Sequence, residues 1–98
     1  MGVRHIVTFE WVEGLDPAHL EAVSAALAEL ASAIPEILVY QFGPDLGLNQ
    51  GNSNYAVTAE FADEAGYLVY RDHPEHRRFI ETHLSGNIAS RAAVQIHI

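Results

Sequence analysis

The 98 residues suffice for one domain spanning residues 1–98, with a thin core, and 49% hydrophobic residues exclude a disordered chain. Five basic residues, all arginine, stand against thirteen acidic ones, a formal charge of −8 that argues against nucleic acid or an anionic membrane as partner. The absence of cysteine removes disulfides, thiolate metal sites and cysteine nucleophiles, and agrees with a cytoplasmic location.

From Val3 to Trp11 the chain alternates: Val3, His5, Val7, Phe9 and Trp11 on one face, Arg4, Ile6, Thr8 and Glu10 on the other. That period predicts a strand, and the N-terminal stretch lacks the apolar core of a signal peptide. Asp16-Pro17 reads as an N-cap followed by a first-turn proline. Leu20, Val23, Leu27, Leu30, Ala31 and Ile34 then recur at helical spacing, and the helix is expected to stop before Pro35. A second strand is expected over Ile37 to Phe42, and a loop over Gly43 to Ser53. That loop lacks the ligand spacing of a calcium site, and its glycines do not join a strand to a helix as a phosphate loop requires.

A third strand follows from Tyr55 to Phe61, then a helix from about Asp63 to Asp72. His73-Pro74 restarts the helix, which is expected to run to about Leu84. Ser85 to Ser90 reads as a connector, and Ala92, Val94, Ile96 and Ile98 alternate in a closing strand. No apolar run approaches the length of a membrane span. The order β-α-β-β-α-β predicts an α+β, ferredoxin-like fold with a four-stranded antiparallel sheet. Helices cover one sheet face; the other, carrying Ile6 and Thr8, is expected to pack on a second copy and form a homodimer.

The segment YRDHPEHRRF, Tyr70 to Phe79, concentrates the chemistry. Helical spacing from Pro74 places His76 with Phe79, Ile80 and His83, facing inward, while His73 caps the restarted helix. His5 lies on the apolar face of the first strand and Tyr70 one turn before the break, so the three side chains can converge between sheet and helices. A partly buried histidine stays neutral and basic, and a tyrosine hydroxyl or second imidazole donates to an enolate oxygen. The same residues also fit a structural reading, with His5 and His76 as core histidines bonded to backbone carbonyls. A metal site built from His73, His76 and His83, with or without His5, has no third ligand at a standard spacing. Haem on His76 has no supporting motif either, and no cofactor or metal is expected. Arg77 and Arg78 beside Glu75 and Glu81 read as a solvated helix face.

The opening VRHIVTFEW, the stretch FGPDLGL followed by GNSNYAVTAEF, the Tyr-x-x-HPEH segment and the end ASRAAVQIHI resemble the stress-responsive A/B barrel domain family, often called Dabb. The likeness runs from Val3 to Ile98. It implies a ferredoxin-like unit that dimerises through its sheet into a dimeric α+β barrel. It also extends distantly to a plant member, olivetolic acid cyclase, which closes a linear tetraketide by aldol condensation without metal or organic cofactor. That resemblance implies His76 as general base, with Tyr70 and His5 positioning or polarising a polyketide-like or aromatic substrate. Two positions depart from the cyclase pattern: a pocket tyrosine aligns with Leu27, and an orienting carboxylate aligns with Val94. Three functions follow as alternatives: cofactor-free aldol cyclase or isomerase chemistry, a non-catalytic dimeric stress or ligand-binding protein, and a monooxygenase of the same superfold.

Overall fold

A computed structural model describes all residues from Met1 to Ile98. Strand β1 (Val3–Trp11) buries Val3, His5, Val7 and Phe9 as its alternation requires. Helix α1 (Pro17–Ala33) starts where the Asp16 carboxylate accepts the Ala18 N–H at 2.8 Å, and it buries Val23, Leu27 and Leu30. It stops with Ile34 extended ahead of Pro35.

Strand β2 spans Val39–Pro44, two residues later at each end than expected. The turn after α1 delays its start: the Ile37 N–H bonds the Ile34 carbonyl at 3.2 Å. Its end extends because an edge strand tolerates proline, and Pro44 pairs with Tyr55. Strand β3 (Tyr55–Phe61) alternates buried and half-buried residues along its whole length. The intervening loop is tied down by Asp45, whose carboxylate accepts from Gly47 N–H at 2.9 Å and from the Asn52 amide at 3.1 Å.

Helix α2 (Glu64–Asp72) is capped by Asp63, which accepts the Gly66 N–H at 2.8 Å. His73 is extended, Pro74 cannot continue the ladder, and helix α3 (Pro74–Phe79) begins anew. His73 caps it as expected, its Nδ1 accepting the Glu75 N–H at 3.1 Å. The expected run of α-helix to Leu84 instead becomes one π-helical turn, Ile80–Leu84, closed by Ser85 N–H on the Ile80 carbonyl at 2.9 Å. Gly86, at φ +80°, makes the left-handed turn out of it. Strand β4 (Ile88–His97) therefore starts inside the expected connector.

The sheet order is β2-β3-β1-β4, with every neighbouring pair antiparallel. This is the ferredoxin-like arrangement. The helices and the core lie on one face, where Phe61, Leu27, Ile34 and Val23 are fully buried. On β4 the pairing places Arg91, Ala93, Gln95 and His97 on the helix side. Ala92, Val94 and Ile96 fall on the uncovered side beside Thr8, Ile6 and Arg4. Val94 is 51% exposed and Ile96 43%, unusual for apolar strand residues in a single chain. No helix is long and apolar enough to cross a membrane.

Candidate functional site

A cavity of about 390 Å³ opens between the sheet and the α2–α3 segment, a volume that suits a small organic ligand. Phe9, Leu27, Val57, Phe79 and Leu84 form its apolar walls, and His5, Tyr40, Tyr70, His76 and Arg91 its polar groups. The π turn contributes Ile80 and Leu84 to the wall.

All three residues singled out in the sequence reach this cavity. The Tyr70 ring neighbours both histidines: His76 stacks on it with centroids 4.2 Å apart, and the His5 ring is 6.0 Å away. His73 stays outside the lining as a cap. His83 parts from His76 and packs near His19, with ring centroids 6.1 Å apart, because the π turn changes the helical phase after Phe79. No three histidine or carboxylate side chains converge as a metal site would require.

The helix break orients His76. Pro74 has no N–H, and the Glu75 N–H is taken by the His73 side chain, so neither supplies the ladder bonds expected of a continuous helix. The Arg71 carbonyl instead lies 3.0 Å from His76 Nδ1. A carbonyl only accepts, so Nδ1 carries the proton and Nε2 keeps its lone pair. Burial lowers the pKa of His76; the Arg71 carbonyl opposes that shift and Arg91 adds to it. The ring is thus held neutral and ready to accept a proton.

His5 has the opposite polarity. The Gln95 amide nitrogen lies 2.9 Å from its Nδ1 and donates to it, which leaves the ring proton on Nε2. No buried side-chain nitrogen or oxygen lacks a partner, so the unbonded Nε2 of this 4%-exposed residue opens onto the cavity. Burial, with Arg91 and His76 nearby, lowers its pKa to about 4. His5 is therefore a neutral donor near neutral pH.

The hydroxyls of Tyr40 and Tyr70 are 2.8 Å apart. One bond between them consumes one of their two protons and leaves the other for a ligand. Burial raises Tyr70 to about 12 and Tyr40 further, so both stay protonated. Tyr40, Gln95 and Arg91 escaped the sequence reading. The alternation of β4 puts Gln95 opposite His5 across a strand pair, and only the register reveals it. The Leu27 position does line the cavity. Val94 lies on the opposite sheet face, so nothing at that position reaches His76; the backbone of Arg71 orients the ring instead.

Comparison with known proteins agrees with this arrangement. The stress-responsive A/B barrel domain model matches residues 3–98. The chain belongs to this family. A dimeric ferredoxin-like protein of unknown function from Thermobifida fusca is 43% identical, with a TM-score of 0.93 over 100% of this chain and 92% of its own. A Dabb family protein from Mesorhizobium loti is 20% identical, with a TM-score of 0.83 over 99% and 96%. A hydroxynitrile lyase from Passiflora edulis is 21% identical, with a TM-score of 0.86 over 99% and 93%. The last two share the fold. No curated protein matches the chain in sequence.

Proposed function

We propose that this A/B barrel protein binds a small apolar or aromatic ligand in the cavity and performs cofactor-free acid/base chemistry on a carbon acid. The aldol-cyclase or isomerase type follows, with a polyketide-like or aromatic substrate. His76 Nε2 takes the proton from carbon beside a carbonyl. His5 Nε2–H, with the spare proton of the Tyr40–Tyr70 pair, donates to the enolate oxygen that forms. The observation that carries this reading is the paired polarity of the two imidazoles: His76 Nδ1–H donates to the Arg71 carbonyl, which leaves the lone pair on Nε2, and the Gln95 amide donates to His5 Nδ1, which leaves the proton on Nε2. The fold accommodates catalysis in the Passiflora hydroxynitrile lyase. The working unit is a homodimer formed through the uncovered sheet face, a reading supported by the exposed Val94 and Ile96 and by the dimeric T. fusca relative.

The test is a thermal-shift screen of aromatic and polyketide-like carbonyl compounds on wild type and His76→Ala, followed by deuterium uptake at the α-carbon of each hit. Wild type is expected to catalyse exchange, and His76→Ala to slow it by about 10²–10⁴-fold. Hits that bind wild type without any exchange overturn the catalytic assignment. They favour a non-catalytic ligand-binding protein, a reading consistent with a tyrosine pair that hydrogen-bonds internally.

A further inference from the structure

Arg91 does something the mechanism above leaves unused. Four of the five arginines sit in ion pairs: Arg4 with Glu60, Arg71 and Arg77 with Asp72, and Arg78 with Glu75. Arg91 has no carboxylate within 4.0 Å and no side-chain hydrogen bond, in a chain whose formal charge is −8. Acidic side chains are abundant, yet none is placed beside it. The strand register puts Arg91 opposite Phe9, on the helix side of β4. It is exposed and lines the cavity, which places it at the rim. Arg71, the other arginine of the lining, is occupied by Asp72 at 3.0 Å. The cavity thus has one unpaired fork of N–H donors above apolar walls of Phe9, Leu27 and Leu84.

We infer that the cavity selects ligands with a carboxylate on an apolar or aromatic body, and that Arg91 anchors the carboxylate. The inference rests on the pocket reading above and narrows its substrate class. A guanidinium matches a carboxylate with two parallel N–H···O bonds. The apolar body then extends inward past the histidines. A second consequence follows for the base. In the empty protein the Arg91 charge contributes to lowering both histidines. A bound carboxylate cancels that contribution, so the ligand strengthens the base that acts on it.

The test uses 4-phenylbutyrate and its neutral isostere 4-phenylbutyramide, titrated into wild type, Arg91→Gln and Arg91→Lys while the His5 and His76 ring signals are followed by NMR. Wild type is expected to prefer the acid by about tenfold or more. Arg91→Gln loses that preference but keeps its affinity for the amide, and Arg91→Lys retains part of it. The acid, not the amide, moves the His76 titration upward in wild type. Equal affinity of wild type for acid and amide overturns the carboxylate inference while leaving the pocket reading intact. An Arg91→Gln protein that still prefers the acid also overturns it. So does one whose only change is weaker dimerisation, because Arg91 would then serve the subunit contact. Ring signals that respond to neither compound overturn the inference and the pocket reading together.

Discussion

Replacing His5 with glutamine tests the electrostatics of the site through stability alone. His5 titrates near 6.5 when unfolded and near 4 in the folded chain. Between these values the unfolded chain binds more protons than the folded one, so stability rises with pH. The contribution is complete above about pH 6.5 and is lost as pH falls toward 4. The full shift corresponds to a ceiling of roughly 3 kcal/mol. Solvent in the cavity screens part of it, and about 2 kcal/mol is expected by about pH 4.5. His76, lowered in the same direction, adds to the slope of both proteins and cancels in the difference. Asp72 titrates below this window. Urea unfolding followed by Trp11 fluorescence, at fixed protein concentration because the relatives are dimers, gives the numbers. Wild type should lose about 2 kcal/mol more than His5→Gln between pH 7 and about pH 4.5. Parallel pH profiles would falsify the claim that His5 is held neutral by its surroundings.

The tyrosine pair gives a double-mutant cycle. Tyr40→Phe and Tyr70→Phe each remove one side of the 2.8 Å bond and should each destabilise by about 1–2 kcal/mol, with a coupling of about 1 kcal/mol between them. Strict additivity in urea unfolding would show that the hydroxyls do not rely on each other. On the uncovered face, Val94→Glu places a charge on an apolar surface that is half exposed in the single chain. It should convert the dimer to monomer in analytical ultracentrifugation without loss of helix signal in circular dichroism. A Val94→Glu protein that remains dimeric would move the subunit contact elsewhere.

Much of the fold was legible because its signals are local. The alternation of β1 and β3, the Asp16-Pro17 start and the Pro35 stop each act within a few residues. The errors came where local chemistry was overridden. Gly43-Pro44 looks like loop, but an edge strand needs bonds on one side only, so β2 continues through it. The π turn at Ile80–Leu84 has no sequence signature, and it moved His83 away from the cavity. At the site, His5, Tyr70 and His76 were accessible from face and spacing. Tyr40, Gln95 and Arg91 were not, because each becomes part of the cavity only through strand pairing. Gln95 meets His5 across 90 residues of chain.

The HPEH segment links these levels. A proline inside a helix is normally a cost, borne as a lost hydrogen bond and a kink. Here the break has a local use on each side. The His73 side chain takes the Glu75 N–H, which satisfies the new helix start. The Arg71 carbonyl is left facing the next turn, where His76 Nδ1 meets it. The sequence feature that stops α2 is therefore the one that sets the tautomer of His76. A carboxylate partner would also hold the ring, but it would stabilise the imidazolium and raise its pKa. The backbone carbonyl is neutral and does so less, which leaves burial to dominate and favours the uncharged ring. His5 is also kept neutral by burial first, and its ring is held by a neutral amide across the sheet in place of a carbonyl. Both imidazoles are thus oriented by uncharged partners, and Arg91 is left as the unpaired charge of the cavity. The one arginine of the lining without a carboxylate partner thus stands at the β4 rim, where the carboxylate inferred above would meet it.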